Sequence, residues 1–447
     1  MVRLRDLGNW SGGNTPSKAN PAYWTDGTVP WVSPKDMKVH EITSSEDRIT
    51  ELALSHGRVS LVPEGSVLFV TRSGILSHTF PVAITRLPVT INQDLKALTP
   101  KGGISPKYVA HAIRGASQRI LRECAKNGTT VASIETSRLL DFEIPIGGMR
   151  EQLEIVAEIE KQFSRLDEAV ANLQRVKANL KRYKASVLKD AVEGRLVPTE
   201  AELARREGRS FETGEQLLQR IREARRSHWK SKGKYKEPAL LETTSLKQLP
   251  EGWVWAAVEM VCEQIVDCPH STARFQDDGF PCIDTTWMTT EGLVTERARY
   301  VDQAIYQDRI SRLDPRAGDI VFAREGTIGT AIMIPEKMTP CLGQRVMLLR
   351  ASVMFSNGLL MHTLHSEVVK SQYRAQALGS TVAHINVGDV KRFAIPVPPM
   401  NEQYRILAEI DRRMSLIRGV EFEVDANLKR AQALRQSTLS KSFSLSS

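Results

Sequence analysis

Two short segments end an apolar run with a charged side chain at a glycine turn: Val67-Leu-Phe-Val-Thr-Arg72-Ser73-Gly74 and Ile320-Val-Phe-Ala-Arg324-Glu325-Gly326. An arginine or lysine at such a rim can read guanine through O6 and N7, asparagine or glutamine can pair with adenine, and Ser, Thr or backbone groups reach phosphates. In the first half of the chain these types occur at Ser17, Lys18, Ser33, Lys35, Arg72, Ser73, Gln93 and Thr129. In the second half they occur at Arg324, Glu325, Gln344, Arg345 and Ser380, with Thr285 and Thr286 as further candidates. Arg72 and Arg324 lead both sets, because an internal repeat sets an arginine at the same turn twice. For each, the competing reading is a turn-forming or solvated polar residue.

Signatures of catalysis are missing. There is no Gly-x-x-x-x-Gly-Lys-Ser/Thr loop to cradle phosphates, no Gly-x-Gly for a dinucleotide or adenosylmethionine, no His-Glu-x-x-His and no Gly-x-Ser-x-Gly elbow. Asn20-Pro21-Ala22-Tyr23 is similar to an amino-methyltransferase motif, but no cofactor-binding segment precedes it. Cys262, Cys268, Cys282 and Cys341 with His270 fit no zinc finger or ribbon spacing, so buried thiols are expected.

The elements that must position these residues come from the repeat. Glu151-Gln-Leu-Glu-Ile-Val-Ala-Glu-Ile-Glu160 recurs 251 positions later as Glu402-Gln-Tyr-Arg-Ile-Leu-Ala-Glu-Ile-Asp411, with six of ten residues identical. Asn127-Gly128-Thr129-Thr130 answers to Leu378-Gly379-Ser380-Thr381, and Phe142-Glu-Ile-Pro145 to Phe393-Ala-Ile-Pro396, at the same offset. Each copy opens with about 145 residues of short apolar runs broken by turn formers, which predicts a β-rich part with some helix. The strand running through Gly65–Gly74 should form a hairpin with the run Phe80 to Ile84, and that through Gly318–Gly326 with Ala331 to Ile334. Each copy then continues as an apolar stripe spaced by three and four: Val156, Ile159, Phe163, Leu166, Val170 onward, and Leu407, Ile410, Met414, Ile417, Val420 onward. That pattern predicts two helices of about 40–45 residues, about 60–70 Å each, pairing antiparallel as a coiled coil. Between the copies lies a connector with a helix signal at Gly214–Ala224 and a basic run from Arg225 to Lys236, read as a solvated linker with phosphate contact as the alternative.

The 447 residues suit two or three domains, and 41% apolar with 25% charged residues fits a globular protein. Lys and Arg exceed Asp and Glu by 61 to 52, which favours polyanionic partners. Five scattered cysteines, no signal-peptide core at the N-terminus and no membrane-length apolar run lead to the expectation of a cytoplasmic protein with no membrane partner.

The motifs together resemble the specificity subunit of a type I restriction-modification enzyme. They run as Gly12-Gly-Asn-Thr-Pro-Ser17-Lys18, Pro30-Trp-Val-Ser33-Pro-Lys35-Asp36, the two Arg-x-Gly strand ends, the Ile-Pro…Glu-Gln helix entrances, and Leu249-Pro-Glu-Gly-Trp253. The second half lacks the Thr-Pro-Ser and Pro-Trp-Val-Ser-Pro elements. The resemblance implies an α+β chain with an internal pseudo-two-fold repeat: target-recognition domains at 1–148 and 251–398, long helices at 149–196 and 399–447, and a connector at 197–250. It implies a non-catalytic subunit that binds double-stranded DNA, each recognition domain reading half of a bipartite asymmetric target while the helices set the gap. Two modification subunits and two restriction subunits would be its partners, supplying chemistry with S-adenosylmethionine, ATP and Mg2+, none of it bound by this chain. Glu151, Gln152, Glu402 and Gln403 would help dock the modification subunits, or simply favour the positive helix N-termini. Alternatives are a coiled-coil protein scaffold or a self-contained DNA methyltransferase.

Overall fold

The structure is a computed structural model that describes residues 1–56, 59–126, 131–228, 235–239, 241–377 and 384–443. Its chain folds as two compact units, Met1–Val176 with Glu423–Ser447, and Lys177–Phe422. The long helices, Met149–Val192 and Met400–Ser442, each contribute to both units. Their lengths, 44 and 43 residues, are those the apolar period predicts.

Unit 1 is built on a five-stranded sheet in the order Gly8–Gly12, Leu95–Pro100, Val67–Val70, Val82–Thr85, Glu41–Ile42. Val67-Leu-Phe-Val70 is buried on both faces, as a central strand without alternation should be. The expected hairpin forms with Val67 opposite Ile84. A second sheet joins Val29–Val32 to Asp47–Ile49 and to Thr90–Ile91. Against the main sheet lies the helix Pro106–Gly115, whose next neighbour is the end of the second long helix. Leu439 is buried there, its backbone so close to Gly115 that a Cβ would sit 3.1 Å from the Leu439 carbonyl oxygen. The Phe443 ring meets Tyr108 edge-on at 5.1 Å. Asp167 pairs with Arg435, Arg435 stacks over Phe163, and Thr438 bonds Gln162, so within unit 1 the two helices run antiparallel.

Unit 2 repeats the plan with a four-stranded sheet in the order Cys262–Asp267, Val346–Ala351, Ile320–Ala323, Ala331–Met333. Its second sheet sets Phe280–Ile283 between Tyr300–Val301 and Cys341–Leu342. All five cysteines of the chain are free and buried, and burial pushes the Cys262 thiol up to about 12.

Two details go beyond the expectations. The connector carries the expected helix, as Gly214–Ser227, and a second one at Glu200–Glu207, each opened by a capping box, Thr213 with Gln216 and Thr199 with Glu202. Leu217, Leu218 and Ile221 bury into the core of unit 2. Of its basic run, Arg225 donates to the Glu259 carbonyl and Arg226 pairs with Glu237, whereas Lys230, Lys232 and Lys234 lie outside the described residues. The helical seam is also uneven. Val156, Ile159 and Val424 are buried, and Val187, Ile410, Met414 and Ile417 are buried within the core of unit 2, but Val176, Tyr183 and Val420 are exposed.

Candidate nucleic-acid interface

In unit 1, Val67–Val70 runs out into Thr71-Arg72-Ser73. The Arg72 side chain is exposed and makes no hydrogen bond or ion pair with the described residues. The Ser73 hydroxyl accepts from the Ile75 N–H and starts a short helical turn. Lys18, Ser33, Lys35 and Gln93 line one shallow depression of about 440 Å³, floored by Trp31 and bordered by Asp94. Thr15 donates to Gln93 Oε1 across it. Ser33 is buried, its hydroxyl donating to Asp36 Oδ2 at 3.1 Å, so it shapes the loop rather than the surface. Lys35 reaches Asp47 at 2.9 Å and Glu46 at 3.3 Å, and the hydrogen bond to Asp47 leads in raising its pKa, so it stays charged. Ser17 and Lys18 are exposed on the loop before Asn20, whose side chain only caps the turn Pro21–Tyr23 by accepting from the Ala22 N–H. Thr129 and Ser380 lie outside the described residues.

In unit 2 the arginine ranked first does not face outward. Arg324 has a side chain 8% exposed, with one guanidinium nitrogen 2.7 Å from Asp267 and another donating to the Ile385 carbonyl at 3.1 Å. The reason is register. Val70 pairs with Leu95 and Ala323 with Val346, and the Thr71 and Arg324 N–H groups then donate to the carbonyls of Asp94 and Arg345. Ile134 and Ile385 N–H groups return to the carbonyls of Thr71 and Arg324. Arg324 thus occupies the place of Thr71, and Glu325 that of Arg72. A one-residue slip sends a side chain to the opposite face. Outward positions are held instead by Glu325 and Arg345, 3.5 Å apart. Gln344 is half-buried, accepting from Thr272 and donating to the His270 carbonyl. Thr285 is half-buried, and exposed Thr286 donates its N–H to Asp284 Oδ1.

The helix-entrance residues read as docking contacts are mostly internal. Gln152 is buried, accepting from the Ser105 N–H and donating to the carbonyls of Gly103 and Gly147. Gln403 repeats this with the Ser356 N–H and the Pro398 carbonyl. Glu402 is buried beneath the connector, accepting from the Glu200 N–H at 2.8 Å and from Trp253 Nε1 at 3.0 Å. Burial pushes Glu402 up to about 7. Burial likewise acts to raise Glu200, but Arg405 and Arg209 outweigh it and hold that carboxyl below its usual range. Only Glu151 is exposed. Identity between the copies at Gln152 and Gln403 marks a repeated fold requirement.

Among the described residues no group of three or more His, Cys, Asp or Glu is placed to hold a metal ion, and no helix is long and apolar enough to cross a membrane.

A duplicated α+β unit with a polar strand edge in each copy and shared long helices defines the class. The chain belongs to the type I restriction modification DNA specificity domain family, whose profile matches residues 1–182 and 284–420. It is similar to the type I restriction enzyme EcoR124I/EcoR124II specificity subunit of Escherichia coli, 42% identical over 167 residues that make 37% of this chain and 41% of that one. The MjaIX specificity subunit of Methanocaldococcus jannaschii is 29% identical over 175 residues, 38% of each chain. The chain thus spans about two fifths of the length of these relatives. The EcoBI specificity subunit of Escherichia coli is 21% identical over 358 residues, 80% of this chain and 69% of its own. A solved structure concerned with assembly and conformational transition of the type I R-M system shares the fold, with a TM-score of 0.63 at 19% identity over 99% of this chain and 96% of that one.

Proposed function

We propose that this chain is the DNA-reading subunit of a type I restriction-modification complex, without catalytic activity of its own. Each unit reads one half of a bipartite, asymmetric double-stranded target, and the long helices fix the gap and dock two modification subunits. Two restriction subunits complete the assembly, and S-adenosylmethionine, ATP and Mg2+ are assigned to these partners. The observation that carries the reading is the duplicated strand edge, which presents exposed Arg72 in one unit and exposed Arg345 in the other beside polar loops. The net charge of +9 suits a phosphate-lined partner.

The test is genome-wide adenine methylation in cells expressing the chain with its modification subunit. One bipartite motif is expected, and Arg72→Ala should make a single position of one half degenerate while preserving the gap. A folded complex that methylates no motif would remove the reading.

A further inference from the structure

Beyond a general DNA-reading edge, the two units carry their charges in crossed order. Backbone pairing makes Arg72 equivalent to Glu325 and Asp94 equivalent to Arg345: Arg72 bridges Ser133 and Glu325 bridges His384, while Asp94 and Arg345 lend their carbonyls to Thr71 and Arg324. Unit 1 therefore has its cation on the strand after Val67–Val70 and its anion on the strand before Leu95–Pro100. In unit 2 the two have changed places.

We propose that Arg345 is the guanine-reading side chain of unit 2, with Glu325 as the residue that positions its guanidinium, and that this crossing makes the two units read different bases at equivalent places. The inference rests on the function proposed above.

Three features support it. Arg345 is exposed at the outward position that Arg324, locked on Asp267, cannot occupy. It also has φ +70°, a left-handed conformation that a glycine would adopt without strain, yet the position supplies the longest cationic side chain. Its carbonyl, held by the Arg324 N–H at 2.8 Å, anchors that conformation, so the backbone is fixed by pairing while the side chain remains at the surface. Finally, Glu325 lies within 3.5 Å and limits the directions the guanidinium can take. A planar two-donor fork whose orientation is set matches guanine O6 and N7 more strictly than lysine's flexible point charge does. An unpaired carboxylate at a DNA-facing edge would repel phosphates, whereas one paired to arginine serves to aim it.

The experiment compares wild type with Arg345→Gly, Arg345→Lys, Glu325→Gln and Arg324→Gln, each full chain assembled with its modification subunits and checked for folding by thermal melting. The readout is the methylated motif, with DNA affinity measured alongside. Arg345→Gly keeps the left-handed backbone and should make one guanine of one half-site degenerate, weakening binding on the order of 5- to 150-fold, the factor equivalent to one bidentate base contact. The lysine variant should restore affinity but not discrimination, and Glu325→Gln should relax the same position partially without touching the other half or the gap. Arg324→Gln, where it folds, should retain the motif. An unchanged motif in Arg345→Gly, or loss of that same guanine in a folded Arg324→Gln, would overturn the assignment while the wild-type motif still upheld DNA reading. A wild type with no motif would remove both.

Discussion

Gln152 and Gln403 each satisfy backbone groups that would otherwise be stranded where a sheet hands over to a long helix. Replacing Gln152 by Ala leaves the buried Ser105 N–H without its partner and frees the more accessible carbonyls of Gly103 and Gly147. The expected loss is about 1–3 kcal/mol, read as a lower urea midpoint for the unit 1 transition, with the recognition motif unchanged. If these residues served docking instead, the variant would keep its midpoint and lose subunit assembly. The sequence singled them out through duplication alone, and duplication cannot separate a requirement of the fold from one of the function. Arg324 shows the same limit of the letters. Arg-x-Gly aligns by letter with the other copy, but the strand preceding it starts one residue out of step, and only the pairing partners reveal which way a side chain points. Arg345 was legible as a candidate because its residue type fits base reading; its left-handed backbone and its crossed partnership with Glu325 leave no mark in the sequence.

The helices of the connector illustrate what an element needs beyond its period. Thr199-x-x-Glu202 and Thr213-x-x-Gln216 are capping boxes readable from the letters, and the signal at Gly214–Ala224 matches the helix Gly214–Ser227. What the letters leave open is where that helix packs, since burial of Leu217 and Ile221 depends on a core supplied by segments far along the chain. The connector is fastened to the second long helix through Glu402, which faces Glu200, Arg405 and Trp253. Because its folded pKa is raised, to about 7, the native state holds that proton more tightly than the unfolded chain does. The stability it contributes is fully present below about pH 4.5 and is lost as pH rises through 7. Glu402→Gln cannot titrate, so the pH dependence of unit 2 unfolding between 4.5 and 7 should flatten by up to about 3 kcal/mol relative to wild type. Parallel slopes for the two proteins in urea titrations across that window would contradict this.

For the whole molecule, the repeat in the letters gave the duplicated architecture, the hairpins and the length of both long helices. It did not reveal that unit 1 is completed by residues from the second copy. Leu439 and Phe443 pack beside Gly115 and Tyr108, and residue pairs that distant in sequence have no periodic signal to betray them. A chain ending after residue 422 should therefore lose roughly 2–4 kcal/mol from unit 1, the burial of Leu439 and the partial burial of Phe443, while unit 2 keeps its own transition. Hydrogen exchange should show faster opening at Val67–Val70 and slow exchange retained at Ile320–Ala323; equal protection at both strands would contradict it.

That shared construction also sets a schedule for synthesis. The first 176 residues leave the ribosome long before residues 423–443 exist, and at about 5–20 residues per second the delay is roughly 12–50 seconds. Throughout that interval the nascent unit 1 exposes the apolar ground on which Leu439 and Phe443 will later settle, which makes it a client for chaperones until translation delivers its last helix.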